Sequence, residues 1–144
     1  LGRVAIVTGS TSGIGLGVAS CLAREGCSVV LHGSRDVSAA EGAISSITTK
    51  YPNCKVIYIQ ASLAEPEEAA KIIIEKTLEE FSKIDILVNN AGIQHVSPIE
   101  TFSTESWDKI IAVNLSSCFQ TMKQALPHMH KNNFGRIINI SSVQ

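Results

Sequence analysis

The stretch Thr8-Gly9-Ser10-Thr11-Ser12-Gly13-Ile14-Gly15 follows directly on the apolar run Val4–Val7 and decides the fold. A buried strand, a glycine-rich turn and a helix occur here in the order that binds phosphate groups. Gly9 allows a tight turn with no side chain in the way of a diphosphate, and Gly13 permits close backbone approach or a positive φ. Gly15 lets the helix pack closely on the sheet. The stretch therefore predicts a dinucleotide site.

Polar groups around this turn complete the predicted phosphate cradle. Ser10, Thr11 and Ser12 are expected to add hydroxyl donors. The first helical turn, which includes Ile14, offers unpaired N–H groups and the positive end of the helix dipole. All residues from Gly9 to Gly15 are thus candidate cofactor contacts.

The composition of the 144 residues is that of a globular protein, with 44% hydrophobic and 17% charged residues and a net charge of -1. The lack of a basic cluster argues against nucleic-acid binding, and no apolar run is long enough for a membrane span. The cysteines show no CxxC pairing and no metal-like grouping with histidine; they are Cys21, Cys27, Cys54 and Cys118. We expect reduced thiols, no metal site and a cytoplasmic location.

Short β-branched runs alternate with helical patterns, which is typical of βαβ units. The candidate strands are Val4–Thr8, Ser28–His32, Lys55–Gln60, Asp85–Asn89 and Arg136–Ser141. They lack polar alternation, as strands covered on both faces do. Right-handed crossovers then predict one α/β domain over residues 1–144. Its doubly wound parallel sheet, of the Rossmann type, has its ligand crevice at the carboxyl ends of the strands.

Helical patterns lie between these strands. Ile14, Val18 and Leu22 recur at helical spacing after the glycine turn. Further helices are predicted at Ser38–Lys50, from Pro66 to about Ser82, at Thr104–Val113 and at Leu115–Lys131. We expect a break or bend near Asn114 and a bend or disruption at Pro127.

The spacing Thr-Gly-x-x-x-Gly-x-Gly, together with Asn89-Asn90-Ala91-Gly92 after the fourth strand, resembles the short-chain dehydrogenase/reductase family. The resemblance implies an oxidoreductase with a nicotinamide dinucleotide cofactor. It also implies that the asparagine motif stabilises the central sheet. The backbone of Asn90, Ala91 and Gly92 would line the crevice.

The same resemblance assigns two catalytic residues. Asn114 matches an asparagine whose backbone carbonyl holds a water of a proton relay; alternatively, its side chain merely bends the helix. Ser142 matches a serine whose hydroxyl hydrogen-bonds the substrate oxygen. The family's Tyr-x-x-x-Lys pair would fall beyond Gln144. We therefore expect the N-terminal five strands of a longer, oligomeric enzyme, and the isolated chain to be inactive and to aggregate.

One apparent substitute for that pair is rejected. Tyr51 and Lys55 have the same spacing, but Pro52 disfavours a helical conformation at Tyr51. The segment also precedes the third strand, which places it at the opposite edge of the sheet from the crevice.

The segment Ala91-Gly92-Ile93-Gln94-His95 resembles family members that interconvert D-3-hydroxybutyrate and acetoacetate with NAD and form tetramers. In those enzymes the residue at Gln94 helps to bind the carboxylate of this small hydroxy acid. A histidine that shares the task is replaced here by Gln144.

Cofactor choice depends on the end of the second strand, where Ser34 and Arg35 follow Gly33. Gly33 favours NAD by the same resemblance, whereas Arg35 could meet the 2′-phosphate of NADP. Ser62 and Leu63, after the third strand, are candidate adenine contacts. Two alternatives remain: an NADP-dependent carbonyl reductase, and an inactive truncated dinucleotide-binding module.

Overall fold

The structure is a computed structural model that describes residues 2–142. Its strands form one parallel sheet in the order β3-β2-β1-β4-β5. They are β1 Val4–Val7, β2 Ser28–Gly33, β3 Val56–Gln60, β4 Ile86–Asn89 and β5 Arg136–Asn139. The predicted doubly wound sheet is confirmed, with each strand bound within two residues of its expected position.

Helices cover both faces of this sheet. The α-helices are α1 Gly13–Arg24, α2 Glu41–Lys50, α3 Pro66–Phe81, α4 Thr104–Ile111 and α5 Ser117–Lys131. Two short 3₁₀ turns lie at Val37–Ala40 and Ile99–Thr101, and a π-helical turn at Ala112–Ser116 joins α4 to α5. The predicted irregularity near Asn114 is therefore a π-helical turn between α4 and α5.

Alternate residues of the strands point to opposite faces of the sheet and belong to two hydrophobic cores. On one face, Ile6 and Leu87 pack with α3 and α5 residues such as Ile73 and Met129. The core on the other face packs against α1 and α2, and its members include Ala5, Val7, Val29, Leu31 and Ile47. The strands β1, β2 and β4 are covered on both faces and consist of nearly continuous apolar residues. The edge strand β5 departs from the prediction, since most of its residues are exposed.

The predicted helix after the glycine turn is confirmed, and its most deeply buried residues are small. Gly15, Ala19 and Ala23 face the sheet, Val18 and Leu22 are half-buried against the same core, and Ile14 is 68% exposed. Small residues allow α1 to lie close to the strands. Pro127 does not disrupt α5, which continues to Lys131. The ring lies on the exposed side, where water can hydrogen-bond the carbonyl that proline leaves unpaired.

The strand order reverses direction between β1 and β4. In doubly wound sheets a crevice opens at such a switch point, outside the carboxyl ends of the strands. Gly9 follows β1 and Asn90 follows β4 at this place. Within residues 2–142, none of the helices is long and apolar enough to span a membrane.

Candidate dinucleotide-binding site

A cleft of about 440 Å³ opens at this switch point. It collects residues from the glycine turn, from the ends of β2 and β3 and from the asparagine motif. Those that the sequence predicted are Gly9, Thr11, Ser12, Ser34, Arg35, Ser62, Leu63, Asn90, Ala91 and Gly92. Segments far apart in the chain thus meet where the sequence analysis placed a cofactor.

Gly9 is held on both sides of its α-carbon. Its N–H donates to His32 Nδ1 at 3.1 Å, and its carbonyl accepts from Asn90 Nδ2 at 3.0 Å. Its φ is +60°, and a Cβ here would lie 2.8 Å from Ala91 Cα. The turn therefore requires glycine for both backbone conformation and space.

Gly15 is needed for close packing, as predicted. A Cβ at this position would lie 2.4 Å from the Gly9 carbonyl oxygen and 2.5 Å from Asn90 Nδ2. Gly13 has nothing within 4 Å of such a Cβ but adopts a φ of +55°. Its glycine therefore serves the backbone conformation.

The amides at the start of α1 are available to a ligand. Within residues 2–142, the backbone N–H groups of Thr11, Ser12, Gly13 and Ile14 have no protein acceptor, and the N-cap Ser12 makes no side-chain cap. A helix N-terminus with unpaired N–H groups binds phosphate readily. This cradle fits the diphosphate of a dinucleotide. The Ile14 side chain points to solvent, so Ile14 contributes only its backbone.

Ser10 is a correction to the predicted cradle. Its side chain is fully buried, and its hydroxyl donates to the Val7 carbonyl at 2.6 Å while accepting the His32 N–H at 3.0 Å. Because both interactions are internal to the fold, Ser10 offers no hydroxyl to a phosphate. Ser10 instead connects the turn after β1 to strand β2.

The asparagine motif stabilises the sheet, as the resemblance implied. Thr8 Oγ1 accepts the N–H groups of Asn90 and Ala91 at 3.0 Å each. Asn89 Nδ2 donates to Asn139 Oδ1 at 2.9 Å, and Asn89 Oδ1 accepts from Thr121 at 2.7 Å. These bonds tie β4 to β1, to β5 and to α5, which fixes one wall of the cleft.

The loop after β2 is held by side chains from β3. Tyr58 Oη donates to the Arg35 carbonyl, and Gln60 Nε2 donates to the Ser34 carbonyl at 3.3 Å. A Cβ on Gly33 would lie 2.9 Å from Tyr58 Oη, so a larger residue there would require the tyrosine side chain to shift. Asp36, close behind Arg35, turns its carboxylate to the Ser38 N–H at 3.1 Å.

The charge of the cleft is positive. Arg35 and Lys109 line it, and no carboxylate does so among the residues that the structure describes. This balance suits an anionic ligand. Three residues that line the cleft were not predicted as site residues: His32, Tyr58 and Lys109. Lys109 comes from the end of α4 and belongs to no motif in the sequence.

Asn114 anchors the loop that follows β4. Its side-chain Oδ1 accepts the Ile93 N–H and its Nδ2 donates to the Ile93 carbonyl, both at 2.9 Å. The residue sits in the π-helical turn, which directs the side chain sideways toward this loop. The side chain therefore has a defined structural task, alongside the backbone role that the resemblance implies.

The remaining predicted residues are not among those that line the cleft. Ser142 is exposed beyond the end of β5, and Gln94 is exposed in the loop after β4. Gln144 lies outside the described residues. Tyr51 ends α2 in a non-helical conformation and Lys55 pairs with Glu80, so this pair has no part in the cleft.

The described part of the chain contains no cluster of side chains suited to a metal ion. All four cysteines carry free thiols.

Curated proteins match this chain over nearly its whole length. D-beta-hydroxybutyrate dehydrogenase of Cupriavidus necator is 45% identical, over 98% of this chain and 53% of the relative. The Rhizobium meliloti protein of the same name is 44% identical, over 97% and 54%. The chain spans about half the length of these curated relatives.

Solved structures agree in fold. L-Sorbose reductase from Gluconobacter frateurii, in complex with NADPH and L-sorbose, superposes with a TM-score of 0.91 at 31% identity, over 98% of this chain and 52% of that one. A metagenomic short-chain oxidoreductase in complex with NADP gives 0.90 at 32% identity, over 99% and 62%. The family model for short chain dehydrogenases matches residues 3–144. The chain therefore belongs to the short-chain dehydrogenase family, whose Rossmann-like fold binds nicotinamide dinucleotides.

Proposed function

We propose that the whole protein is an NAD-dependent oxidoreductase that interconverts D-3-hydroxybutyrate and acetoacetate by hydride transfer. The substrate assignment is supported by sequence identities of 45% and 44% with two D-beta-hydroxybutyrate dehydrogenases along almost the entire chain. The cleft at the switch point supports a dinucleotide cofactor independently, through its unpaired amides and its positive charge.

Different groups of residues would bind different parts of the cofactor. The amides from Thr11 to Ile14 would hold the diphosphate. Ser34 and Arg35 would meet the adenosine ribose, and Ser62 and Leu63 the adenine. Asn90, Ala91 and Gly92 would line the path toward the nicotinamide, which supplies the hydride acceptor when bound.

The substrate would lie at the open side of the cleft. Ser142 would hydrogen-bond the oxygen on the reacting carbon and favour the charge that develops there. The Asn114 carbonyl would hold a relay water, while its side chain fixes Ile93 and hence the loop that carries Gln94. Gln94 and Gln144 would bind the carboxylate as neutral amide donors.

A second candidate, an NADP-dependent carbonyl reductase, is favoured by one specific observation. Arg35 lines the cleft beside Gly33, and the nearby carboxylate of Asp36 is engaged by Ser38. A guanidinium without a competing acid suits a 2′-phosphate. The solved relatives bound to NADPH and NADP are consistent with this candidate.

We also propose that the protein associates with further copies of itself, as a tetramer. Helix α5 and the π turn before it carry two apolar stripes. Thr121, Ala125 and Met129 face the core, whereas Leu115 and Phe119 are 63% and 58% exposed on the opposite side. Such a stripe can pack on its own copy about a two-fold axis. Light scattering of the full-length protein should show the oligomer, and Phe119→Glu should reduce its size.

Steady-state kinetics with full-length protein test the reaction. D-3-hydroxybutyrate, its L enantiomer and an uncharged secondary alcohol are compared with NAD and with NADP. The proposal expects the highest kcat/KM for the D enantiomer with NAD. Activity confined to another alcohol would remove the substrate assignment, and a preference for NADP would select the second candidate.

A further inference from the structure

His32 is a buried polar residue at the penultimate position of strand β2. It is 2% exposed and lies under the cleft. Its Nδ1 lies 3.1 Å from the Gly9 backbone nitrogen and its Nε2 lies 3.1 Å from the Ala61 carbonyl oxygen. Gly9 can only donate and Ala61 can only accept. The ring must therefore be neutral, with its proton on Nε2.

The backbone of His32 holds the same turn. Its N–H donates to Ser10 Oγ at 3.0 Å, and its carbonyl accepts the Ser10 N–H at 2.9 Å. The amides of Gly9 and Ser10 are thereby used inside the fold. Within residues 2–142, Thr11 is the first amide of the turn without a protein acceptor. Residue 32 thus determines where the phosphate cradle begins.

The other ring nitrogen reaches a second wall of the cleft. Ala61, whose carbonyl it holds, directly precedes Ser62 and Leu63, which line the cleft at the end of β3. One imidazole therefore connects the glycine turn to the segment proposed to contact adenine. Nothing in the cofactor assignment above requires such a link.

We propose that His32 is a positioning residue for the dinucleotide, with one ring nitrogen aligning the diphosphate cradle and the other aligning the adenine wall. The role rests on the proposed dinucleotide binding. It deepens that proposal because it predicts which half of the ligand depends on each nitrogen.

Two substitutions separate the nitrogens. In His32→Asn the side-chain oxygen replaces Nδ1 as the acceptor for Gly9, and the contact with Ala61 is lost. In His32→Gln the side-chain amide replaces Nε2 as the donor to Ala61, and the contact with Gly9 is lost. Both variants are made in the full-length protein, and binding is followed by the fluorescence of NADH, with ADP and adenosine as competitors.

The expected result is a split between the ligands. His32→Gln should weaken ADP about tenfold while adenosine changes less than about twofold, because a misplaced cradle affects only the diphosphate. His32→Asn should weaken both ligands by a similar factor, because adenosine is common to both. Thr77→Val is the control, since Thr77 is buried and hydrogen-bonded to the Ile73 carbonyl far from the cleft. It should leave the ratio of ADP to adenosine affinity unchanged.

Two binding results would overturn the role. In the first, the wild-type protein binds NADH and both variants have the same ratio of ADP to adenosine affinity. This result would leave the proposed function intact and remove the role of His32. Wild-type protein that binds neither NADH nor NADPH would remove both. If the variants do not fold, ¹⁵N shifts of the wild-type imidazole decide: a neutral ring with its proton on Nε2 supports the role, and one with its proton on Nδ1 contradicts it.

Discussion

The side-chain amide of Asn114 pairs with both backbone polar groups of Ile93, at 2.9 Å for each hydrogen bond. This pair joins the π-helical turn between α4 and α5 to the loop that leaves β4. The loop carries Gln94, and the turn carries the carbonyl proposed to hold a relay water. One side chain therefore sets the distance between two parts of the proposed active site.

Loss of this amide should destabilise the protein modestly and impair catalysis more. Asn114→Ala removes two hydrogen bonds, which should lower the free energy of unfolding by about 1–3 kcal/mol. Because the loop is released, kcat with D-3-hydroxybutyrate should fall by about tenfold or more. Urea unfolding and steady-state kinetics of the full-length protein measure the two effects. Ser116→Ala, in the same turn, is the control; equal effects of both substitutions would contradict the special role of Asn114.

Two glycines of α1 should respond in opposite ways to alanine. Gly15→Ala places a Cβ 2.4 Å from the Gly9 carbonyl oxygen, so it should lower the free energy of unfolding by about 1–3 kcal/mol and weaken NADH binding. At Gly17 a Cβ meets nothing within 4 Å, so Gly17→Ala should stabilise the helix by about 0.5–1 kcal/mol. Thermal or urea unfolding compares the two. A neutral Gly15→Ala would show that α1 is not packed as closely as described.

These glycines show how far the sequence predicted the fold. The order of strands and helices and the glycine turn followed from patterns of spacing, and the asparagine motif followed from the family resemblance. The burial of Ala19 and Ala23 in α1 was not predicted, because these small residues carry little apolar weight compared with Val18 and Leu22, which are only half-buried. Sequence periodicity reports where large residues recur, whereas a close helix–sheet contact selects small ones.

In the cleft, too, some residues could be predicted from the sequence and others could not. Gly9 was predicted because the turn itself requires glycine, and Asn90 was predicted from the family resemblance, although its side chain binds Thr8 and Gly9 far away in the chain. Ser10 was wrongly assigned to the phosphate because a hydroxyl beside a turn can point either way. His32 was missed because its partners, Gly9 and Ala61, come from other strands and become neighbours only in the folded sheet.

Acid should destabilise the folded protein through His32. Burial disfavours the charged imidazole and lowers the pKa of His32 from 6.5 to about 4. Between these values the unfolded chain binds a proton that the folded chain does not, so the free energy of unfolding falls as the pH falls. The loss should reach about 3 kcal/mol near the lower pKa.

Urea unfolding of the wild-type full-length protein and of His32→Asn across this pH window checks the prediction. The wild type should lose more stability on acidification than the variant. Parallel pH profiles for the two proteins would mean that His32 does not titrate as its burial implies.

Arg35 should govern the use of the phosphorylated cofactor. Arg35→Gln removes the guanidinium at the end of β2, which should lower kcat/KM for NADP by about tenfold or more. The value for NAD should change by less than about twofold, since NAD has no 2′-phosphate. Arg24→Gln, on the exposed end of α1, is the matched control. An equal loss with both cofactors would place Arg35 outside the recognition of the 2′ position.

Transfer of label from substrate to cofactor tests the central claim most directly. Full-length protein is incubated with NAD and D-3-hydroxybutyrate that carries deuterium on its hydroxyl-bearing carbon, and the reduced cofactor is isolated. The account predicts one deuterium on the nicotinamide ring and one molecule of acetoacetate for each NADH formed. Reduced cofactor without deuterium, or labelled substrate recovered unchanged while another alcohol is oxidised, would contradict it.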